Sequence, residues 1–129
     1  MNKDKQESRK KYYSKVLIVD FDDTLCIHAG KDKSNISKGE PNLDLILMLN
    51  KAFDEGYRIE IHTARGHISA ANRKEADHKY RSTIEEWLQK YGVKYSKLTF
   101  NKAFGIVYID DKSIRPDELD LLSKILTKG

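Results

Sequence analysis

The sequence predicts an α/β layer fold with a mostly parallel sheet. Short runs rich in β-branched residues alternate with longer helical patterns, which is the signature of such folds. Two of the runs, Val16-Leu17-Ile18-Val19 and Ile106-Val107-Tyr108-Ile109, are continuously apolar, as central parallel strands are. The length of 129 residues, with 39% hydrophobic, supplies one modest core.

Taken in order, residues 1–14 are polar and charged and read as a flexible basic arm, leaving 15–129 as a single domain. Residues 1–15 hold six basic groups and two acids, so they carry the whole net charge of +4, and the rest of the chain is neutral. Contact with nucleic acid would therefore rest on this arm alone. The run at 16–19 is the first strand. A polar loop spans 31–42, and Leu43, Ile46, Leu47 and Phe53 suggest a helix closed by Gly56. Residues 57–62 form a second strand. Tyr80, Ile84, Trp87, Leu88 and Tyr91 form a second helical stripe closed by Gly92. Residues 97–100 and 106–109 are the third and fourth strands. Leu119, Leu122, Ile125 and Leu126 form a last helix, entered by Pro116. Cys26 is the only cysteine, which excludes an internal disulfide and a multi-cysteine zinc site. With no secretory or membrane-spanning pattern, a cytoplasmic protein is expected.

Ligands of open α/β sheets bind beyond the carboxyl ends of the strands. The residues there are Asp20-Phe21-Asp22-Asp23-Thr24, then Thr63-Ala64-Arg65-Gly66, then Asn101-Lys102, then Asp110-Asp111-Lys112. In a parallel sheet these converge as up to five carboxylates with a hydroxyl and an ammonium. Clustered carboxylates repel unless a cation joins them, and an all-oxygen set suits Mg²⁺. A carboxylate, a lysine and a magnesium ion can hold and transfer a phosphoryl group.

These residues resemble the haloacid dehalogenase (HAD) superfamily of phosphohydrolases. Asp20-Phe21-Asp22-Asp23-Thr24-Leu25 is similar to its first motif, Thr63 to its second, Lys102 to its third and Asp110-Asp111 to its fourth. Residues 61–66 and 108–118 further resemble small bacterial and phage members, many of them called capsular-polysaccharide biosynthesis phosphatases. The resemblance implies a three-layer Rossmann-like core with strand order 4-1-2-3. It implies Asp20 as nucleophile, Asp22 as general acid and then base, Thr63 on a phosphoryl oxygen, and Lys102 balancing charge, with Lys97 and Lys112 as competitors for that role. Magnesium would be held by the Asp20 side chain, the Asp22 backbone carbonyl and Asp111, with Asp110 behind them. Arg65, Thr24 and Gly66 would face the substrate. Asp23 stands where the family often has glycine.

The stretches 25–41 and 66–101 are too short for a cap domain, so the site is expected to be open, covered at most by a small flap or by a second copy of the chain. A sugar phosphate or related phosphometabolite is the expected substrate, with a nucleotide or polynucleotide end as the alternative. Two other classes are weighed. A phosphorylated receiver domain would place its lysine last, and here the acidic pair closes the series. A non-catalytic phosphate- or nucleic-acid-binding module would keep the fold without turnover. Cys26-Ile27-His28 is half of a metal-site pattern and lacks its second cysteine.

Overall fold

The computed structural model describes residues 15–30, 32–65, 72–102, 105, 107 and 109–128. The basic arm at 1–14, Gly66 and two residues of the fourth predicted strand, Ile106 and Tyr108, lie outside them.

Strand β1 (Val16–Asp20) is followed by two short strands, β2 (Cys26–Ile27) and β3 (Glu40–Pro41), with a 3₁₀ turn at Ile36–Lys38 between these two. Then come α1 (Leu43–Asp54), β4 (Arg58–His62), α2 (Arg73–Lys90), β5 (Lys97–Thr99) and α3 (Leu119–Lys128). The main sheet has the order β1-β4-β5 and is parallel throughout. Val19 pairs with Ile61, and Ile61 with Leu98. Strands β2 and β3 form a separate antiparallel pair.

Parallel neighbours require crossovers, and both crossovers here are helical. They step across the sheet in one direction, so right-handed connections put α1 and α2 on the same face. Side-chain bonds agree: Asn50 of α1 donates to the Gly92 carbonyl at 2.8 Å and accepts from the Lys94 amide at 2.8 Å, just beyond α2. That face carries the core. Val19, Ile59, Ile61 and Leu98 are buried in it with Ile46, Leu49, Ile84, Trp87 and Leu88. Each such side chain is worth roughly 1.5–3 kcal/mol of burial.

Three expected features are not seen among the described residues. The fourth strand is not formed among the described residues: Val107 and Ile109 lie outside any strand and are exposed at 69% and 95%. The order is therefore β1-β4-β5, matching 1-2-3 of the predicted 4-1-2-3. An apolar run becomes a strand only when a ladder partner takes up its backbone, and this run has none among the described residues. A third layer is likewise not seen among the described residues: on the face holding Ile18, Arg58, Glu60 and His62, Ile18 is 66% exposed. Instead α3 lies beside α1. Within α1 the buried stripe is Leu45, Ile46, Leu49 and Ala52, while Leu43 and Leu47 are exposed.

Helix ends follow the expected chemistry. Asn42 caps α1 by accepting from the Leu45 amide, and Gly56 (φ +97°) ends the helix in a conformation other residues rarely adopt. The insertion between β1 and α1 is a small flap, not a domain. Among the described residues, no helix is long and apolar enough to cross a membrane.

Candidate active site

The chain leaves β1 in a tight coil around the Phe21 carbonyl, which accepts from the Leu25 and Cys26 amides, both at 3.0 Å. Phe21 drops into the core, edge-on to Trp87 with ring centres 5.3 Å apart. The flanking Asp20 and Asp22 are left on the open side, half-buried. The coil needs a left-handed residue, and Asp23 supplies it at φ 58°. Aspartate tolerates that conformation better than most side chains. Its carboxylate also accepts from the His28 amide at 3.0 Å and pairs with Lys33 at 2.6 Å. Burial pushes Asp23 up, and the Lys33 and His28 hydrogen bonds outweigh it, leaving the carboxyl below its usual range.

Each carboxylate of this loop meets a cation from elsewhere. Lys102, beyond β5, stands 3.3 Å from Asp20 Oδ1, and the Thr24 hydroxyl approaches Asp20 Oδ2 at 3.5 Å. Burial drives the Asp20 carboxyl upward; Lys102 opposes this and does not cancel it. Of the three candidate lysines, Lys102 is the one placed at Asp20, while Lys97 and Lys112 lie exposed elsewhere. Arg65 clasps Asp22 with two groups: Nε donates to Oδ2 at 3.2 Å and Nη2 to Oδ1. Thr63 is fully buried beside them, its hydroxyl accepting from the Arg65 amide at 3.0 Å and its own amide donating to the Thr99 carbonyl at 3.0 Å. Asp20, Asp22, Thr24, Thr63, Arg65 and Lys102 are thus brought to the carboxyl edge of the sheet, as the sequence predicts.

Asp110 and Asp111 are not brought there. Both are exposed, and Asp110 Oδ1 accepts from the Lys112 amide at 2.8 Å in a local turn. They follow the run at 106–109, of which Ile106 and Tyr108 lie outside the described residues. Asp20, Asp22 and Thr24 offer oxygen donors of the kind a hard cation takes. Yet among the described residues no three His, Cys, Asp or Glu side chains are placed to share one ion. The residues present fit magnesium in kind and supply half of the expected set.

Sequence reasoning missed His28. Its ring is 1% exposed, and Nε2 lies 2.8 Å from Asp22 Oδ1. The carboxylate can only accept, so Nε2 is the donor. Cys26, two residues before it, is buried, with its thiol pushed up to about 12 by burial first and then by Asp22. It is an inert core thiol. The signal available in the sequence was the alternation Cys26-Ile27-His28 directly after the first motif, which turns residues 26 and 28 the same way.

An open groove of about 450 Å³ at the end of β5 is lined by Lys74, Asp77, His78, Thr99, Phe100 and Asn101, and by none of Asp20, Asp22, Thr63, Arg65 and Lys102.

No protein-family model matches the chain, and no curated protein matches it. Among solved structures, a chain of the Pnkp1/Rnl/Hen1 complex aligns with a TM-score of 0.51 at 27% identity, over 82% of this chain and 33% of that one. A Vibrio cholerae protein, known as an MCSG target, aligns with a TM-score of 0.71. At 32% identity over 88% of this chain and 98% of the other, the protein belongs to one family with that Vibrio cholerae protein.

Proposed function

We propose that the protein is a magnesium-dependent phosphomonoesterase of the haloacid dehalogenase type, working through an aspartyl-phosphate. The observation that carries this reading is the pairing at the end of β1. Two carboxylates two residues apart face the same side, Asp20 beside Lys102 and Asp22 beside Arg65, next to the buried Thr63.

Asp20 Oδ attacks phosphorus as the bond from phosphorus to the leaving oxygen breaks, and Asp22 gives that oxygen a proton. Water then attacks the phosphoryl group while Asp22 takes its proton. The Asp20–phosphorus link breaks, and inorganic phosphate leaves. Lys102 offsets charge on Asp20 and on the transferring group, and the Arg65 guanidinium offers a planar fork to phosphoryl oxygens. Magnesium would be held by the Asp20 carboxylate, the Asp22 backbone carbonyl and the Asp110-Asp111 pair, and when bound would neutralise the transferring oxygens.

A sugar phosphate or related phosphometabolite is the first substrate class, in keeping with an open, capless site. The likeness to a chain of the Pnkp1/Rnl/Hen1 complex favours a second reading, a nucleotide or polynucleotide-end phosphatase. A cytoplasmic setting and a second copy over the open site belong to the same proposal. The test is hydrolysis of p-nitrophenyl phosphate and of a panel holding sugar phosphates, nucleotides and end-phosphorylated oligonucleotides, with magnesium or with EDTA. Magnesium-dependent release of phosphate is expected. No release from any member would overturn the reading, and the preferred member decides between the two substrate classes.

A further inference from the structure

Asp22 cannot deliver a proton while both of its oxygens are occupied by donors. Oδ1 receives His28 Nε2 at 2.8 Å and Arg65 Nη2, and Oδ2 receives Arg65 Nε at 3.2 Å. The two partners differ in kind. Arg65 follows β4 on a loop and carries donors that a phosphoryl group would also attract. His28 is 1% exposed, and its amide is tied to Asp23 at 3.0 Å. Resting on the phosphatase reading above, we propose that His28 is a positioning residue: its Nε2 holds Asp22 Oδ1 while Arg65 releases Oδ2 to a bound phosphoryl group, leaving Oδ2 facing the leaving oxygen.

A second, independent observation supports this. His28 Nδ1 is buried with no hydrogen-bond partner among the described residues. A buried polar atom left unpaired costs stability, and an apolar side chain at this position would avoid that cost. Packing therefore gives no reason for an imidazole here. Its one side-chain hydrogen bond among the described residues goes to Asp22. Space behind the ring is also reserved: a Cβ on Gly39 would collide with Cys26 Sγ and touch His28 Cε1 at 3.5 Å.

The experiment compares kcat and KM on p-nitrophenyl phosphate at saturating magnesium for His28→Phe, His28→Gln, His28→Asn and Arg65→Met. It adds calorimetric binding of inorganic phosphate and a circular dichroism check of folding. His28→Phe keeps the bulk and loses the donor, so kcat should fall about ten- to a hundredfold with KM within about twofold. His28→Gln places an amide N–H near the Nε2 position and should recover most of the loss. His28→Asn falls short of Asp22 and should not, which preserves the comparison if the Phe variant fails to fold. Arg65→Met should weaken phosphate binding and raise KM by about tenfold. Full kcat in His28→Phe, no difference between Gln and Asn, or a change confined to KM would overturn the role of His28 alone. An inactive wild type that still binds phosphate through Arg65 would overturn the phosphatase reading, and the positioning role with it.

Discussion

The two acidic stretches of the candidate site are built in opposite ways. From Asp20 to His28, carboxylates are tied to Lys102, Arg65, Lys33 and the His28 ring, over a buried Phe21. Asp110 and Asp111 sit exposed on a segment whose Val107 and Ile109 also face solvent. The first stretch is held by a tight local turn at the end of a paired strand. The second follows a run that has no strand partner among the described residues. Local chemistry thus fixes Asp20 and Asp22 in place, whereas Asp110 and Asp111 are exposed.

The sharpest test is Asp20→Asn. Activity should fall at least about a thousandfold, because no nucleophile remains. Stability should move the other way. Burial raises Asp20 above its ordinary 3.8, so the fold favours the neutral form. That contribution is fully present below 3.8 and is lost as pH rises through the higher folded value. At neutral pH the charge therefore opposes folding. The metal-free variant should melt higher than wild type at pH 7, and the gap should close in acid. A lower melting temperature at pH 7 would show that Lys102 fully compensates the burial.

The second test sets core against segment. Ile61→Ala should cost about 2–4 kcal/mol in denaturant unfolding, since the side chain is fully buried in the central strand. Ile109→Ser should cost under about 0.5 kcal/mol, as exposed positions do. A loss above about 1 kcal/mol for Ile109→Ser would mean that the segment packs onto β1 after all.

This contrast also marks how far the sequence could be read. Three of the four strands, all three helices and the convergence of Asp20, Asp22, Thr63 and Lys102 were legible, because apolar periodicity and strand-end placement are local signals. The run at 106–109 shows the limit: its composition reports a wish for burial and says nothing about which edge would receive it. His28 shows another. Its link to Asp22 depends on the left-handed turn at Asp23 and on the flap folding back, and neither is encoded by spacing alone. Leu43 and Leu47 fit the helical period of α1, yet the surface they face is not covered.

A smaller effect is expected from Asp111→Asn. If the acidic pair joins Asp20 when magnesium binds, the variant should need about tenfold more magnesium for half-maximal hydrolysis, with little change once saturated. An unchanged magnesium titration would mean that the exposed placement of Asp111 describes the working protein, and that the ion is held from the β1 side alone.

The smallest effect concerns the sheet face left open beside β1. Glu60 lies there between Arg58, which donates at 2.8 Å, and His62, at 3.1 Å. These hydrogen bonds, Arg58 first, hold the Glu60 carboxyl below its ordinary 4.5. Its contribution is present above 4.5 and is lost as pH falls through the lower folded value. Because the pair is partly exposed, the contribution should be about 0.5 kcal/mol. Glu60→Gln should remove that part of the acid slope in urea unfolding and change little at neutral pH beyond this amount. A loss of several kcal/mol would be that of a buried ion pair, which requires this face to be covered.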